Sequence, residues 1–404
     1  MRIIVQKFGG TSVSTKERRS LAADKIESCI SRGCFPVVVV SAIGRNGDPY
    51  ATDTLIEFSH SSGTNAQPRE LDLLMSCGEI ISCVVLSNTL KARGLNSAVL
   101  TGGQAGIITD DNFGDASVLR VDSTSILNYI RNGIIPIITG FQGITEKGDI
   151  TTLGRGGGDV TGAILGEALE AEAVEVYTDV DGVMTADPVL VPNARVMDIL
   201  LYDDVYWMAE YGAKVIHKKA VQIAMRSNIP LIIKNTMTDS PGTLITGSKP
   251  STEPFTYVQK PVTAIACTGN KALVKIVPDI DNNSIQADGD LFSMLYEQRI
   301  DISMINLYPW AKSFAIDSKH TDTVMKILEG KPVHFEFLRD CSILTVIGSG
   351  MKGLPGVMAK ISHALAASNI PLLHTSDSHT TISCLVEGKY AKQAVTALHE
   401  EFEL

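Results

Sequence analysis

VVVVSAIG, residues 37–44, is a continuous β-branched run bounded by Pro36 and Gly44. Such a run predicts a strand buried on both faces, as in the middle of a parallel sheet. Four more strand-like runs end in glycine loops, and helical patterns separate them: IIVQKFGG (3–10), NSAVLTGGQ (96–104), IIPIITGFQG (134–143) and AVEVYTDVDG (173–182). Strands that alternate with helices predict a parallel α/β sheet with helices on both faces. Ligands of such sheets bind beyond the carboxyl ends of the strands, so we expect the glycine loops to share one crevice.

The composition is that of an ordinary globular protein, and 404 residues favour two or three domains. A net charge of −10 argues against a general binder of nucleic acid or of anionic membranes. The seven cysteines form no CxxC pair and have no metal-ligand spacing, which indicates reduced thiols. We find no signal-peptide pattern at the start and no apolar run of membrane length, so we expect a cytoplasmic protein.

The segment 240–262 is rich in Ser, Thr, Pro and Gly and predicts a domain boundary. Beyond it the sequence repeats itself at an offset of 70 residues, which pairs Leu291 with Ile361 and Phe314 with Cys384. Each copy has the pattern of a helix, a short strand, a hairpin and another strand. Two copies are too few for a solenoid, so we predict two small α+β modules packed together.

Two of the glycine loops are suited to anions. In KFGG (7–10) backbone amides and Lys7 are suited to a phosphate, although a plain turn with a surface lysine is the alternative. GRGGGD (154–159) is neither a Walker loop nor a dinucleotide fingerprint. It places Arg155 beside a helix that begins near Asp159, or Asp159 is an ordinary N-cap after a flexible turn. Several such loops at one end of a sheet favour phosphoryl transfer.

Other charged residues leave two interpretations open. In YTDVDGVMTADP (177–188) the carboxylates are suited either to Mg²⁺ or to tight turns. Glu79 lies in an apolar helix and requires a cationic partner, either a substrate ammonium group or an internal salt bridge. In GAKVIHKKAV (212–221) Lys214 has the reach for a phosphate, although such a run is usually a solvated face, and His217 is interpreted as structural.

The ordered motifs of residues 1–245 together resemble the aspartokinases of the amino acid kinase family. These motifs are KFGGTSV (7–13), VVVVSAIG (37–44), SCGE (76–79), TTLGRGGGD (151–159), YTDVDGVMTADP (177–188) and GAKVIH (212–217). The C-terminal repeat resembles the paired ACT domains of the same enzymes. The details that look most like the diaminopimelate-sensitive type are SAIGRNGDPYATD (41–53), SDSHTTISCLV (376–386) and ALHEEFEL (397–404).

The resemblance implies a fold and a set of domains. It implies a three-layer α/β amino acid kinase domain with a parallel sheet over residues 1–245, followed by a linker over 246–262. Two α+β, ferredoxin-like ACT domains follow, the first inserted as 271–338 and the second formed by 263–270 plus 339–404. ACT domains of this family pair across two chains, so the resemblance also implies a homodimer.

The implied activity is ATP-dependent phosphorylation of the β-carboxylate of L-aspartate, which gives 4-phospho-L-aspartate, with Mg²⁺ as cofactor. This is the first step toward lysine, diaminopimelate, threonine and methionine. The substrate carboxylate attacks ATP directly, so no protein nucleophile is implied. Feedback inhibition by meso-diaminopimelate, lysine or threonine at the ACT domains is implied as well, without a basis for ranking the three beyond the family resemblance.

Site residues follow from the resemblance by position. Lys7 is expected to stabilise the transferring phosphoryl group, Asp159 to orient Lys7, Arg155 to bind the α-carboxylate of aspartate, and Glu79 to bind its ammonium group. The remaining aspartate-binding residues are Thr52, Phe141, Thr152, Gly156 and Gly158. The nucleotide-binding residues are Lys7, Phe8, Gly9, Gly10, Ser41, Tyr177, Thr178, Asp179, Met184, Asp187 and Lys214. No protein ligand of Mg²⁺ is assigned, because ATP phosphates are expected to hold the ion. The effector-binding residues are Asp290, Leu291, Asn306, Gly356, Val357, Ser376 and Asp377.

The chain departs from the family pattern at two site positions. Gly158 replaces a serine that faces the substrate, and Val189 replaces an arginine beside the nucleotide. We expect weaker binding from these losses, and lower Michaelis constants in Gly158→Ser and Val189→Arg. The departures motivate one alternative, a catalytically weakened regulatory homologue. The other alternative is a different amino acid kinase, such as a glutamate kinase or carbamate kinase relative, against which SCGE and the tandem ACT repeat argue.

Overall fold

The structure is a computed structural model that describes residues 1–61, 63, 66–213, 215–248, 261–278, 285–331, 333–351 and 354–404, with the backbone alone at 278 and 285–290. The chain divides into two compact units. The first unit comprises Met1–Val183, Val196–Ala209 and Lys214–Thr252, and the second comprises Met184–Arg195, Glu210–Ala213 and Glu253–Leu404.

The first unit alternates strands and helices along the chain. Its strands are β1 (Ile3–Phe8), β2 (Phe35–Val40), β3 (Ser97–Leu100), β4 (Ile107–Thr109), β5 (Val118–Val121), β6 (Ile135–Thr139), β7 (Gln142–Thr145), β8 (Ile150–Thr152), β9 (Ala173–Thr178), β10 (Ile199–Leu201), β11 (Leu231–Asn235) and β12 (Thr243–Thr246). Its helices are α1 (Lys16–Ser31), α2 (Thr52–Ser61), α3 (Pro68–Ala92), α4 (Thr124–Arg131), α5 (Gly157–Ala168), α6 (Tyr202–Glu210) and α7 (Lys218–Ser227).

An eight-stranded sheet, ordered β10-β12-β11-β9-β1-β2-β6-β3, forms the centre of the described part of this unit. Strand β1 pairs in parallel with β2 and with β9, as the alternation of strands and helices predicts. The four valines of VVVVSAIG form the end of β2, which is buried from Pro36 to Val40, and residues 41–44 follow the strand. Strand β12 runs antiparallel to β11 and was not predicted, because its residues lie in the Ser-, Pro- and Gly-rich segment that indicated a boundary.

Helices cover both faces of this sheet, so the predicted three-layer α/β class is confirmed. Alternate side chains of a strand point to opposite faces. Phe8 of β1 lies in a hydrophobic cluster with Ile26 of α1 and Leu86 of α3. Lys7 faces the opposite layer, because a β-carbon at Gly162 of α5 would lie 3.5 Å from its Cβ.

Helix α5 approaches the sheet along three glycines spaced four residues apart, Gly158, Gly162 and Gly166. This spacing places all three on one helical face. A β-carbon at Gly166 would lie 2.6 Å from Cγ2 of Val174, and one at Gly158 would lie 3.3 Å from Cε of Lys7. Larger residues here would therefore push α5 away from β1 and β9.

A four-stranded sheet, ordered β5-β4-β7-β8, accompanies the large sheet in the described part of the first unit. Strand β8 pairs antiparallel with β7 and ends at Thr152. The chain then runs through Leu153–Gly156 into α5. This small sheet therefore carries the start of the TTLGRGGGD segment.

Helix α3 has 25 residues and is long and apolar enough, by length and composition, to cross a membrane. The expectation that no apolar segment reaches that length is therefore wrong for Pro68–Ala92. Half of its apolar window is buried inside the protein. Leu86 and Leu90 of this helix belong to the hydrophobic cluster that contains Phe8.

The second unit is built on a six-stranded sheet ordered β14-β15-β13-β16-β18-β17 within its described residues. The strands are β13 (Ala264–Pro278), β14 (Ile302–Tyr308), β15 (Ala311–Asp317), β16 (Val333–Ile347), β17 (His374–Asp377) and β18 (Thr381–Glu387). The helices are α8 (Ile285–Glu297), α9 (Thr321–Leu328), α10 (Val357–Ala367) and α11 (Ala391–Glu401). Strands β13 and β16 pair antiparallel, and both extend through the two halves of the sheet.

The internal repeat of the sequence appears as two similar halves of this unit. Strands β15 and β18 lie 70 residues apart at both ends, 311–317 against 381–387. The paired repeat residues Leu291 and Ile361 are both buried, and so are Phe314 and Cys384. The predicted α+β repeat is therefore confirmed. The boundaries between the halves stay a prediction, because both halves share β13 and β16.

The segment Met184–Arg195 belongs to the second unit, whereas the sequence places it within the domain 1–245. Ala186 and Val191 are buried in a hydrophobic cluster with Val346 and Leu398. The backbone amide of Ile265 also donates to the carbonyl oxygen of Thr185, over 2.9 Å. The burial of its apolar side chains thus assigns this segment to the second unit, although its position in the sequence lies within the first.

Candidate active site

Lys7, near the end of β1, forms an ion pair with Asp159 in the first turn of α5. Nζ of Lys7 lies 2.6 Å from Oδ1 of Asp159, and both side chains are 13% exposed. Oδ2 of Asp159 accepts a hydrogen bond of 3.1 Å from the backbone amide of His217. The carboxylate is therefore held at both oxygens. It fixes the ammonium group of Lys7 at the carboxyl end of a strand in the middle of the large sheet.

Small residues keep the space beside Lys7 open. A β-carbon at Gly9 would lie 3.8 Å from Nζ of Lys7, and a β-carbon at Gly158 would lie 2.8 Å from Oγ of Ser41. Ser41 directly follows β2, and its hydroxyl group has no hydrogen-bond partner among the described residues. The ends of β1 and β2 thus present an ammonium group and a hydroxyl group to one crevice.

The loop before α5 leaves Arg155 free. Gly154 and Gly156 adopt left-handed backbone angles, φ 73° and φ 79°. A β-carbon at Gly156 would lie 2.5 Å from the ring of His217, so the loop and His217 pack closely. Arg155 is exposed, and within the described part of the chain its guanidinium makes no hydrogen bond or ion pair. A free guanidinium is suited to a carboxylate or phosphate from a ligand.

Glu79 of α3 is a buried acid that lacks one partner. Its side chain is 2% exposed, and Oε1 accepts a hydrogen bond of 3.1 Å from the backbone amide of Ala42. Oε2 has no hydrogen-bond partner among the residues described. Burial raises the pKa of Glu79 to about 8, and hydrogen bonds from the backbone amides of Ala42 and Glu79 oppose that rise. A ligand cation at Oε2 would satisfy the free oxygen and favour the charged form.

Thr52, Phe141 and Thr152 differ in what they offer a ligand. Thr52 is the first residue of α2 and is partly exposed. Phe141 has a left-handed φ of 71°, and a β-carbon at Gly157 would lie 2.7 Å from its ring. The hydroxyl group of Thr152 donates to Oδ1 of Asp72 over 2.7 Å and is fully buried. The sequence places Thr152 in the aspartate pocket, but its hydroxyl is already bound within the protein.

The side chains of Phe8 and Tyr177 are part of the core and not of the crevice. Their rings stack with centroids 4.7 Å apart, and both residues are buried. The Tyr177 hydroxyl donates to Oε2 of Glu175 over 2.9 Å, and the Tyr177 carbonyl accepts from Gly9 N. A nucleotide contact at these two residues is therefore limited to their backbone, and their assignment stays a prediction.

Two acids after β9 are already engaged by side chains of the protein. Oδ2 of Asp179 lies 2.5 Å from a guanidinium nitrogen of Arg45. Asp181 accepts hydrogen bonds from Asn235 and Thr238, each over 2.8 Å. Asp181 therefore has a turn-stabilising role. Asp179 stays beside Thr178 at the strand end, with an exposed cationic partner that a ligand can displace.

The predicted nucleotide-binding set also contains Gly10, Met184, Asp187 and Lys214. Gly10 begins a short 3-10 turn, and its Cα is crowded, since a β-carbon there would lie 2.4 Å from the carbonyl oxygen of Ala42. Met184 and Asp187 belong to the second unit, where Oδ1 of Asp187 accepts from the backbone amide of Val189 over 2.9 Å. Lys214 lies outside the described residues.

Across the described ranges, no group of three or more His, Cys, Asp or Glu side chains is arranged to hold a metal ion. Asp179 is engaged by Arg45, and Asp181 is engaged by Asn235 and Thr238. A Mg²⁺ ion that enters with a nucleotide would therefore take most of its ligands from phosphate oxygens and water.

The predicted effector residues occupy different environments in the second unit. Leu291 of α8 and Val357, the first residue of α10, are buried hydrophobic residues, so a contact with an effector would have to come from their backbone. Asn306 lies 3.2 Å from Nδ1 of His374. The other three described residues lie at exposed positions of β17 or at the start of α10, and they are Gly356, Ser376 and Asp377. The side chain of Asp290 lies outside the described part.

Sequence reasoning missed three groups that organise the crevice: the carboxylate of Asp72, the backbone amide of His217 and the guanidinium of Arg45. Asp72 precedes Glu79 by seven residues, which is two helical turns, so the pair shares one face of α3. That spacing was an available signal. No such signal exists for the other two groups, because His217 lies far from Asp159 in the sequence and Arg45 lies far from Asp179.

Comparisons with known proteins all point to the same family. The profile of the amino acid kinase family matches residues 2–235, and an ACT domain profile matches residues 336–400. Aspartokinase 1 of Bacillus subtilis is 40% identical over 404 residues, which is all of both chains. An aspartokinase of Geobacillus stearothermophilus is 37% identical over 412 aligned positions, covering 100% of this chain and 98% of the relative.

Solved structures of aspartokinases have the same fold. Aspartokinase III of E. coli in complex with lysine and aspartate, in the T-state, matches with a TM-score of 0.76 and 25% identity over 99% of both chains. The same enzyme with aspartate and ADP, in the R-state, matches with a TM-score of 0.79 and 24% identity over 100% of both chains.

The buried Glu79 carboxyl predicts a specific pH dependence of stability. Its folded pKa of about 8 lies above the ordinary value of 4.5 for a glutamate, so the folded state keeps a proton that the unfolded state releases in this window. Stability is therefore lost as pH rises from about 5 to 8, by up to about 1.4 kcal/mol per pH unit. The unfolding free energy of Glu79→Gln minus that of the parent protein should therefore be larger at pH 8 than at pH 5, by on the order of 2–4 kcal/mol.

Urea unfolding at pH 5 and pH 8 measures this difference. Glu175→Gln is the matched control, because Glu175 is equally buried but its pKa is lowered, by its hydrogen bonds and cationic neighbours against the effect of burial. Its offset from the parent should stay constant over this range. If the unfolding free energies of Glu79→Gln and the parent differ by the same amount at both pH values, the raised pKa of Glu79 is contradicted.

The narrow space between Gly158 and Ser41 predicts a stability cost for Gly158→Ser. A serine at 158 does not fit beside Ser41 without displacement, because the added β-carbon would lie 2.8 Å from Oγ of Ser41. Gly158→Ser should therefore destabilise by about 1 kcal/mol, the low end for overpacking, because the Ser41 hydroxyl ends a short side chain that can turn away. In a Ser41→Ala background the same change should cost at least about 0.5 kcal/mol less. A double-mutant cycle by urea unfolding measures this coupling, and additive energies would show that the two positions do not compete for space.

Proposed function

The chain belongs to the aspartokinases of the amino acid kinase family, and we propose that Lys7, Glu79, Arg155 and Asp159 carry its reaction. It is an ATP-dependent kinase that phosphorylates L-aspartate and gives 4-phospho-L-aspartate. The observation that carries the assignment of residues is the Lys7–Asp159 ion pair beside an open, glycine-lined crevice. We further propose that the enzyme works in the cytoplasm, where ATP and aspartate are both available.

Lys7 neutralises charge on the phosphoryl group during transfer. A β-carboxylate oxygen of aspartate attacks the γ-phosphorus of ATP, the bond to the β,γ-bridging oxygen breaks, and ADP leaves. No protein nucleophile is required, so the protein contributes positioning and electrostatic stabilisation. Asp159 keeps the ammonium group of Lys7 in place before the substrates arrive, so little reorganisation is needed at the moment of transfer.

Arg155 and Glu79 bind the two charged ends of the amino acid head. The free guanidinium of Arg155 is suited to a bidentate contact with the α-carboxylate. The unpaired Oε2 of Glu79 accepts from the α-ammonium group, whose charge favours ionised Glu79. The residues that complete this pocket are Thr52, Phe141, Gly156 and Gly158, while Thr152 supports it from the scaffold.

The nucleotide lies on the side of the crevice formed by the ends of β1, β2 and β9. Gly9 and Gly10 allow close backbone approach of phosphates, and Ser41, Thr178 and Asp179 supply polar groups. Mg²⁺ bound to the phosphates offsets their charge and helps to align the γ-phosphoryl group. The family pattern assigns Met184, Asp187 and Lys214 to this side too, and these assignments stay proposals.

The test of this function combines product trapping with a lysine variant. With ATP, Mg²⁺, aspartate and hydroxylamine, the wild-type chain should form aspartyl hydroxamate, and glutamate should replace aspartate poorly. Lys7→Met should lower kcat by about 10²–10³-fold, as expected for loss of one preorganised charge.

Lys25→Met is the matched control, since Lys25 also pairs with an aspartate, Asp239, over 2.6 Å in the same unit. It should leave kcat within about twofold, as surface ion pairs have small effects. Preference for glutamate would instead indicate another amino acid kinase. Absence of any hydroxamate would indicate a catalytically weakened homologue, and an unchanged kcat in Lys7→Met would contradict the role of Lys7.

Feedback regulation accompanies the ACT fold of the second unit, and we propose that an end-product amino acid binds there. Available polar groups include Asn306, Ser376, Asp377 and the backbone around Gly356. The family resemblance ranks meso-diaminopimelate first, with lysine and threonine as alternatives. Comparing inhibition of aspartate phosphorylation by these three amino acids identifies the effector.

The edge strand β14 supplies a surface for a homodimer. Side chains on this strand and its hairpin are large, apolar and between 46% and 69% exposed, and they are Ile305, Leu307, Tyr308 and Trp310. Tyr308 and Trp310 stack with ring centroids 5.4 Å apart. Exposed apolar patches on an edge strand mark association surfaces, and a second copy pairs such an edge by two-fold symmetry.

Replacing one residue of this patch should separate the dimer. Leu307→Asp buries a charge in the proposed interface, so sedimentation should show a monomer where the wild-type chain is a dimer. Leu119→Asp is the control, because Leu119 is 61% exposed in the first unit and should leave the dimer intact. A wild-type monomer, or a dimer that survives Leu307→Asp, would contradict this interface.

A further inference from the structure

Asp72 is a fully buried acid on α3, and its hydrogen-bond partners among the described residues, Thr152 and Gly114, lie beside the loop that carries Arg155. Oδ1 accepts from the hydroxyl group of Thr152 over 2.7 Å. Oδ2 accepts from the backbone amide of Thr152 over 2.8 Å and from the backbone amide of Gly114 over 3.0 Å. Hydrogen bonds to a carboxylate are stronger than those between neutral groups, so Asp72 ties these two segments firmly.

The two segments meet directly beside the loop of Arg155. Thr152 ends β8 and precedes Arg155 by three residues. The carbonyl oxygen of Thr152 accepts from the backbone amide of Ala116 over 2.8 Å. A β-carbon at Gly154 would lie 2.5 Å from Oδ1 of Asp115, so the loop around Gly114 packs against the start of the Arg155 loop. Asp72 therefore holds together both sides of the turn that carries Arg155.

We propose that Asp72 is a positioning residue for the acceptor amino acid, acting through Thr152 and Gly114 on the loop that carries Arg155. This inference rests on the proposed function of Arg155. The nucleotide side of the crevice is formed by the ends of β1, β2 and β9, whereas the hydrogen bonds described for Asp72 go to Thr152 and Gly114. Loss of its charge therefore affects aspartate binding and spares ATP binding.

Asp72→Asn provides the first test. The amide keeps the volume but turns an NH₂ group toward one of the donors, so at least one hydrogen bond is lost. The KM for aspartate should rise about 10- to 100-fold, because small displacements of a positioning group have effects of this size. The KM for ATP should change by less than about threefold. Steady-state kinetics with each substrate varied in turn measures both values.

Two companion variants keep the test decisive. Thr152→Val removes one of the three hydrogen bonds and should also raise the KM for aspartate, by less than Asp72→Asn does. This variant keeps the proposal testable if Asp72→Asn does not fold. Thr152→Ser keeps the hydroxyl group and should have the wild-type KM for aspartate. Glu175→Gln, at an equally buried acid that binds Gln6 and Tyr177, should lower stability without a selective effect on the KM for aspartate.

The outcomes separate this inference from the function on which it rests. A wild-type chain that does not phosphorylate aspartate contradicts the proposed function. A fully active wild-type chain in which Asp72→Asn and Thr152→Val raise both Michaelis constants equally, or neither, overturns the positioning role of Asp72.

Discussion

The ion pair between Lys7 and Asp159 is the interaction on which the organisation of the first unit depends. Two charges that are both only 13% exposed are costly to bury, unless hydrogen bonds satisfy the remaining lone pairs. The backbone amide of His217 does this at the second oxygen of Asp159. The pair also requires α5 to lie close to β1. The glycines at 158, 162 and 166 allow that approach, so helix packing and the placement of the catalytic charge share one cause.

Helix α3 shows how the partners of an acid decide its role. Asp72 and Glu79 lie two turns apart on one face, and both are buried. All three hydrogen bonds described for Asp72 come from neutral groups of the scaffold. Glu79 receives a backbone hydrogen bond at one oxygen and keeps the other unpaired, so its pKa rises to about 8. One acid therefore stabilises the protein, and the other is available to a ligand cation.

Local patterns predicted the features that depend on neighbouring residues. The buried strand in the run 37–44 and the 70-residue repeat were predicted correctly, because a buried strand and a repeated core each depend on the residue types within a short stretch of sequence. The partners of Asp72 lie 80 and 42 residues away, and that of Asp159 lies 58 residues away, so no local pattern reports them. Strand alternation already indicates that the Phe8 side chain faces the core, since its neighbour Lys7 faces the crevice, so a nucleotide contact at Phe8 can involve only its backbone. The segment 184–195 carries no composition shift, and only its burial places it in the second unit.

A crystal structure of the wild-type chain with aspartate and ADP would show whether these four residues, Lys7, Glu79, Arg155 and Asp159, bind the two substrates. We expect Lys7 to lie against the phosphates while still paired with Asp159. We also expect the aspartate head to lie between Arg155 and the free oxygen of Glu79, with its β-carboxylate directed at the terminal phosphate. A nucleotide bound at the Arg155 loop, or an aspartate that contacts neither Arg155 nor Glu79, would contradict these roles.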